Sequence, residues 1–245
     1  AAGIVVGWGG VQVYSIPLGG QTVVSSAASF TISVFSIVVV MNAVNFIDGL
    51  DGLVAGVCLI ANGVFFVYSY LLVRDAGATS YANLGTFLAV VLVGACAGFL
   101  PINWNPARMF MGDTGALVVG LLMATSAIAI TGQLPPAALD QDVTGRSQII
   151  GTLIPILLPI LVVGLPLADF GMAIIRRTAR GKSPFSPDRE HLHHRMIDRG
   201  HSVRQAVLVF YAFSAIASLT MLLMYIFTGE DWFGEHRIGE YWIAV

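Results

Sequence analysis

Three short stretches hold most of the side chains in this 245-residue chain that could do chemistry. The first runs from Asn42 to Gly52 (NAVNFIDGLDG). Asp48 and Asp51 are three residues apart and would share a face on a helix. Such an acidic pair beside a membrane is costly unless it is hydrated, paired or near a metal. A helix N-cap explains one aspartate, and glycines suit the turn, but the second aspartate, Asn42 and Asn45 stay unexplained. The second stretch, Asn103 to Gly115 (NWNPARMFMGDTG), leads into an apolar run. A helix N-terminus there would offer free backbone N–H groups to a phosphate. Asp113 and Thr114 carry the hard oxygens that Mg²⁺ prefers, and Phe110 could stack on a planar base. The competing reading makes Asp113 a simple cap and Phe110 a core residue. The third stretch, Gly181 to Arg195 (GKSPFSPDREHLHHR), gathers Arg189, His191, His193 and His194 behind two stiffening prolines. Arg and His donors suit a pyrophosphate. An H-E-x-x-H pattern is absent, which argues against a zinc protease of that kind. A merely solvated basic loop is the alternative.

The elements that must position these stretches are membrane helices. Only 26 residues are charged, 11% of the chain, against roughly 25% in an ordinary soluble domain. Hydrophobic residues make up 56%, and the mean hydropathy is +0.82. Residues 1–47, 52–73, 76–107, 114–139, 147–168 and 205–229 contain no Asp, Glu, Lys or Arg. A bilayer-spanning helix needs about 20 apolar residues. This excludes a soluble globular enzyme, a disordered chain and a nucleic-acid binder, and predicts an all-α polytopic integral membrane protein. Seven segments are expected, at 1–14, 22–44, 53–73, 82–101, 114–132, 149–170 and 205–227, forming one transmembrane domain over 1–245. Pro17, Gly19 and Gly20 break the chain after the first. Cys58 and Cys96 lie in apolar spans and read as small hydrophobes.

Alternate connections, at 45–52, 102–113 and 171–204, carry nine of the twelve Lys and Arg residues. That bias places them in the cytoplasm. All three chemical stretches fall on this side. Carboxylates, a helix N-terminus and Arg/His donors at a membrane surface are a set suited to phosphoryl transfer, whose catalysis is mostly positioning and charge neutralisation. A transporter is the rival class, since transporters also set carboxylates beside broken helices. It would need polar groups near the midplane, whereas the charges here sit at span ends, Asp169 being the best relay candidate.

The motifs NAVNFIDGLDGL (42–53), FMGDTG (110–115) and SPFSPDREHLHH (183–194) resemble, in order, three signatures of the polyprenyl-phosphate N-acetylhexosamine-1-phosphate transferase family. Its sister branch is the phospho-MurNAc-pentapeptide translocase. The third motif is similar to the UDP-GlcNAc-type branch, and the resemblance covers essentially the whole chain. It implies transfer of an N-acetylhexosamine-1-phosphate, with GlcNAc-1-phosphate expected, from a UDP-N-acetylhexosamine to a membrane polyprenyl phosphate. UMP would be released, and cell-envelope glycan synthesis begun. It further implies a bacterial inner-membrane location with the site facing the cytoplasm, and a need for Mg²⁺, with Mn²⁺ as the alternative. By the same resemblance Asp113 is the metal ligand, and Asp48 and His191 are the catalytic residues. Asn45, Asp51, Asn103, Phe110, Arg189, His193 and His194 would bind substrate. A homodimer is left open, and no nucleic-acid partner is expected. The chain departs from the family in having no Asp-Asp pair and in offering seven helices where about ten or eleven are usual. Earlier helices bearing that pair are therefore expected before Ala1, and a further one is expected to be cut at Tyr241–Val245. An inactive fragment that binds nucleotide-sugar or partners stays open beside the enzyme.

Overall fold

The computed structural model describes residues 1–13, 15–17, 21–23, 25–75, 80–131, 172, 175–181, 183, 196 and 198–227. Within them the order is α1 (Ala2–Trp8), β1 (Ser15–Pro17), β2 (Gln21–Val23), α2 (Ser26–Ile47), α3 (Leu53–Asp75), α4 (Ser80–Asn103), α5 (Gly112–Thr131) and α6 (Val203–Phe227). Five of these helices, α2 to α6, are long and apolar enough to cross a membrane. At about 1.5 Å per residue, the 22 residues of α2 reach about 33 Å, close to the hydrocarbon thickness. The polytopic helical fold read from the composition is therefore present.

One expectation needs correction. The segment at 1–14 is not one long helix. α1 is only seven residues and ends at Gly9, and Gly10 follows with a left-handed φ of 89°. The backbone then runs irregularly through Val11 to Val13, where the Val13 N–H donates to the Ser33 hydroxyl at 2.9 Å. Beside the helices stands one small pair of strands among the described residues. Ser15–Pro17 and Gln21–Val23 pair antiparallel, Ser15 opposite Val23, as a small hairpin across the Pro/Gly break. The expected spans at 149–170 and beyond Tyr241 lie outside the described residues.

The helices pack as a chain of neighbours: α2 on α5, α5 on α4, α4 on α3, and α3 on α6, with α1 against α2. The consecutive helices α2 and α3 barely touch. In lipid, helices associate through close packing of small residues and interhelical hydrogen bonds rather than through the hydrophobic effect. Gly120 of α5 shows this: a Cβ there would lie 2.7 Å from the Met41 Cα of α2. The Ser126 hydroxyl of α5 donates to the Gly85 carbonyl of α4 at 2.7 Å. The core runs through Ile37, Val44, Val54, Tyr68, Leu92, Ile130 and Val207, all under 2% exposed.

Candidate active site

Two connections meet at one end of this bundle: the α2–α3 turn at 48–52 and the α4–α5 loop at 104–111. Backbone geometry makes both turns possible, since Gly52 (φ 80°) and Gly112 (φ 65°) are left-handed, a region that L side chains other than Asn and Asp rarely enter. Polar side chains then tie one connection to the other. The Asn103 amide, only 5% exposed, accepts from the Gly52 N–H at 2.9 Å through Oδ1 and donates from Nδ2 to the Met109 carbonyl at 2.9 Å. Asp51 Oδ2 accepts from Asn105 Nδ2 at 2.9 Å and from the Ala107 N–H at 3.1 Å. α6 reaches the same place. Tyr211 donates its hydroxyl to the Gly52 carbonyl, and its ring sits 6.3 Å from that of Trp104. That ring fills the space beside Gly56, where an added Cβ would lie 1.9 Å from it. Arg204 donates to the Asn105 carbonyl from Nε at 3.0 Å and from Nη2 at 2.7 Å.

The two connections enclose an open cavity of about 300 Å³, lined by Asp48, Asp51, Asn103, Phe110, Gly112 and Asp113 among others. Asp48 caps the C-terminus of α2, and Asp113 lies in the first turn of α5. Asn45, one turn before Asp48, donates from Nδ2 to Asp113 Oδ1 at 3.1 Å. Burial pushes the Asp48 carboxyl above its ordinary value of 3.8, and the negative Asp113 beside it pushes it further. A hydrogen bond from the Gly112 backbone offsets part of the rise. Two carboxylates from distant parts of the chain thus repel each other across one cavity, the arrangement a bound cation relieves. Among the described residues no three His, Cys, Asp or Glu side chains group closely enough to hold a metal alone. The carboxylate pair fits Mg²⁺ in its usual mode, in which one or two carboxylates hold the ion and substrate phosphates and waters complete the shell.

Six residues singled out from the sequence therefore come together: Asn45, Asp48, Asp51, Asn103, Phe110 and Asp113. Their roles divide. Phe110 is 75% exposed, so the core reading fails and a ring is free at the cavity wall. Asp48 sits at the C-cap of α2 rather than at a helix N-terminus, so the N-cap reading does not describe it, and its carboxylate lines the cavity. Asn103 and Asp51, expected to hold substrate, are engaged in tying the loops together; both amide ends of Asn103 and one oxygen of Asp51 are used in this way. Arg189, His191, His193 and His194 lie outside the described residues. Sequence reasoning missed Arg204, Tyr211 and Trp104. Tyr211 fell within the expected 205–227 span and Trp104 within the second stretch, with no role given to either. Arg204 counted only as one of many loop cations, although Ser202 and Gln205 around it carry the S-x-x-Q signature of a helix start.

A model of the family described as glycosyl transferase family 4 matches residues 1–131. Among curated proteins, the chain is 38% identical over 222 residues to a decaprenyl-phosphate N-acetylglucosaminephosphotransferase of Mycobacterium tuberculosis. That alignment covers 90% of this chain and 54% of the relative. It is 32% identical over 214 residues to a probable undecaprenyl-phosphate N-acetylglucosaminyl 1-phosphate transferase of Bacillus subtilis, covering 87% and 53%. A shorter match, 43% over 93 residues, covers 38% of this chain and 26% of a phospho-N-acetylmuramoyl-pentapeptide-transferase of Staphylococcus epidermidis. The chain spans about half the length of the first two relatives.

Proposed function

We propose a reaction that starts from kinship: the chain belongs to glycosyl transferase family 4, and its site suits transfer of GlcNAc-1-phosphate from UDP-GlcNAc to a membrane polyprenyl phosphate, releasing UMP. The observation that carries this reading is the pairing of Asp48 and Asp113, 65 positions apart, across one cavity with an exposed Phe110 at its wall. The names of the relatives support the transferred group and the acceptor class.

In this reading an oxygen of the lipid phosphate attacks the sugar-bearing phosphorus. The bond from that phosphorus to the bridging oxygen breaks, and UMP leaves with the electron pair. Asp48, its carboxyl raised by burial and by Asp113, accepts the proton of the incoming phosphate. Asn45 orients the Asp113 carboxylate, and Phe110 offers its face to the uracil. Asp113 would hold Mg²⁺, which when bound supplies neutralisation of the diphosphate charge. Arg189, His191, His193 and His194 are assigned to the diphosphate and sugar, with His191 the critical one. The Lys/Arg bias between connections supports a cytoplasmic site in a bacterial inner membrane. A homodimer is tested by the mass of the detergent-solubilised protein.

The decisive experiment incubates purified full chain with UDP-GlcNAc, polyprenyl phosphate and Mg²⁺ and follows UMP. Metal-dependent release, abolished in Asp113→Asn, supports the reading. Nucleotide binding without release favours an inactive fragment. Near-normal turnover in Asp113→Asn refutes the metal assignment.

A further inference from the structure

We infer that Arg204 is a positioning residue for the candidate site, acting from α6 through Asn105 to hold the α4–α5 loop in its binding shape. Arg204 lies far in sequence from the stretches that line the cavity and beyond the residues matched by the family model, yet it makes two hydrogen bonds to one loop carbonyl, that of Asn105. The contact continues inward. The Asn105 side chain donates to Asp51 Oδ2, and the same oxygen takes the Ala107 N–H. Guanidinium, loop and carboxylate thus form a strut from α6 to the floor of the cavity. The loop it braces carries Met111 and Phe110, both of which line the cavity, and leads into Asp113.

Two features make the strut stiff. The first turn of α6 is fixed by a reciprocal capping box: the Ser202 N–H donates to Gln205 Oε1 at 2.8 Å, and the Gln205 N–H to the Ser202 hydroxyl at 3.3 Å. Arg204 lies inside that box, so its Cα has little freedom. Seven residues on, two helical turns along the same face, Tyr211 anchors α6 to the Gly52 carbonyl. α6 therefore holds both connections of the site. Met109 and Phe110, at the outer edge of the loop, are 54% and 75% exposed. Little side-chain packing holds that edge, so its position depends on the bonds that tie the loop: that of Asn103 to the Met109 carbonyl and the strut at Asn105. A ligand binding a loosened loop must order it first, which weakens apparent affinity without changing the bound geometry.

The test uses the full chain. The kinetic arm rests on the proposed UMP-releasing reaction; the second arm does not. In the kinetic arm, Arg204→Met keeps the side-chain stem and removes the fork. Its KM for UDP-GlcNAc should rise about five- to tenfold, the order expected for a charge-assisted hydrogen bond, with kcat within about twofold. Arg204→Lys, a single compact donor, should recover part of the loss. In the second arm a spin label is placed on Met109→Cys, the native Cys58 and Cys96 being buried. Arg204→Met should make the label more mobile, and Arg204→Lys should give an intermediate spectrum. An unchanged label spectrum overturns the inference, as does a loss in which kcat, KM and folded yield decline together with no rescue by lysine. If the parent protein releases no UMP, the proposed reaction fails, and the label alone decides the strut.

Discussion

Asn103→Ala separates a residue that holds the loops from one that holds substrate. The side chain is 5% exposed and bridges the buried Gly52 N–H to the Met109 carbonyl, both at 2.9 Å. Truncation leaves the Gly52 N–H without its partner, at about 1–3 kcal/mol. The Met109 carbonyl belongs to an exposed residue and regains water, so its loss is about 0.5–1 kcal/mol. The vacated side-chain volume adds to the cost, for a total of about 2–4 kcal/mol. For a chain of this size each kcal/mol moves the melting temperature by about 2–4 °C, so the variant should melt about 5–15 °C lower. Thermal unfolding in detergent, with UDP-GlcNAc kinetics measured well below the melting point, is the assay. Asn42→Ala is the control, because Asn42 is exposed and its amide donates back to the Val38 carbonyl of its own helix; it should stay within about 0.5 kcal/mol of the parent. An Asn103→Ala variant that melts like the parent yet loses donor affinity would refute the reasoning and return Asn103 to the substrate.

Asp48→Asn should abolish transfer yet stabilise the chelator-treated protein. A carboxyl raised in the folded state holds its proton more tightly there than when unfolded. Its contribution to stability is therefore complete below about 3.8 and lost as pH rises through the raised value. The asparagine variant escapes that loss, so its melting temperature should exceed the parent's at neutral pH, and the gap should close toward about pH 4. A gap that widens on acidification contradicts the assigned repulsion. Gly56→Ala should destabilise by about 1–3 kcal/mol or more, since its Cβ would lie 1.9 Å from the Tyr211 ring. Gly63→Ala, with nothing within 4 Å, should be neutral or gain about 0.5–1 kcal/mol; paired melting curves read both. Within the third stretch, His191→Ala should lower turnover more than folded yield, and equal losses would mark a structural role.

The helices were legible because an apolar run of membrane length has few other fates once Asp, Glu, Lys and Arg are absent from it. The convergence of Asn45, Asp48, Phe110 and Asp113 was legible from the sidedness of the connections and from their motifs. What could not be read was the division of labour. An asparagine that binds a ligand and one that binds a neighbouring loop have the same composition and spacing; only the two 2.9 Å bonds of Asn103 distinguish them. Arg204 was hidden for a related reason: its partner is a backbone carbonyl 99 positions away, and carbonyls carry no sequence signal. The short α1 and the hairpin were masked by apolar composition, in which the Gly9-Gly10 stop was outweighed by the residues around it.

The separation of α2 from α3 bears on how the protein is made. A ribosome delivers these two helices one after the other, yet α2 finds its main partner only when α5 emerges, more than sixty residues later. Until then the surface of α2 that α5 will cover lacks that partner. Asp48 and Asp51 leave the ribosome almost together, but the cavity between them and Asp113 cannot exist before α5 docks, and its bracing waits for α6. Biogenesis therefore assembles this cavity in chain order: the α2–α3 turn first, the α4–α5 wall next and the bracing from α6 last. Ribosome-stalled intermediates ending before Gly112 should reach the membrane while still lacking this cavity.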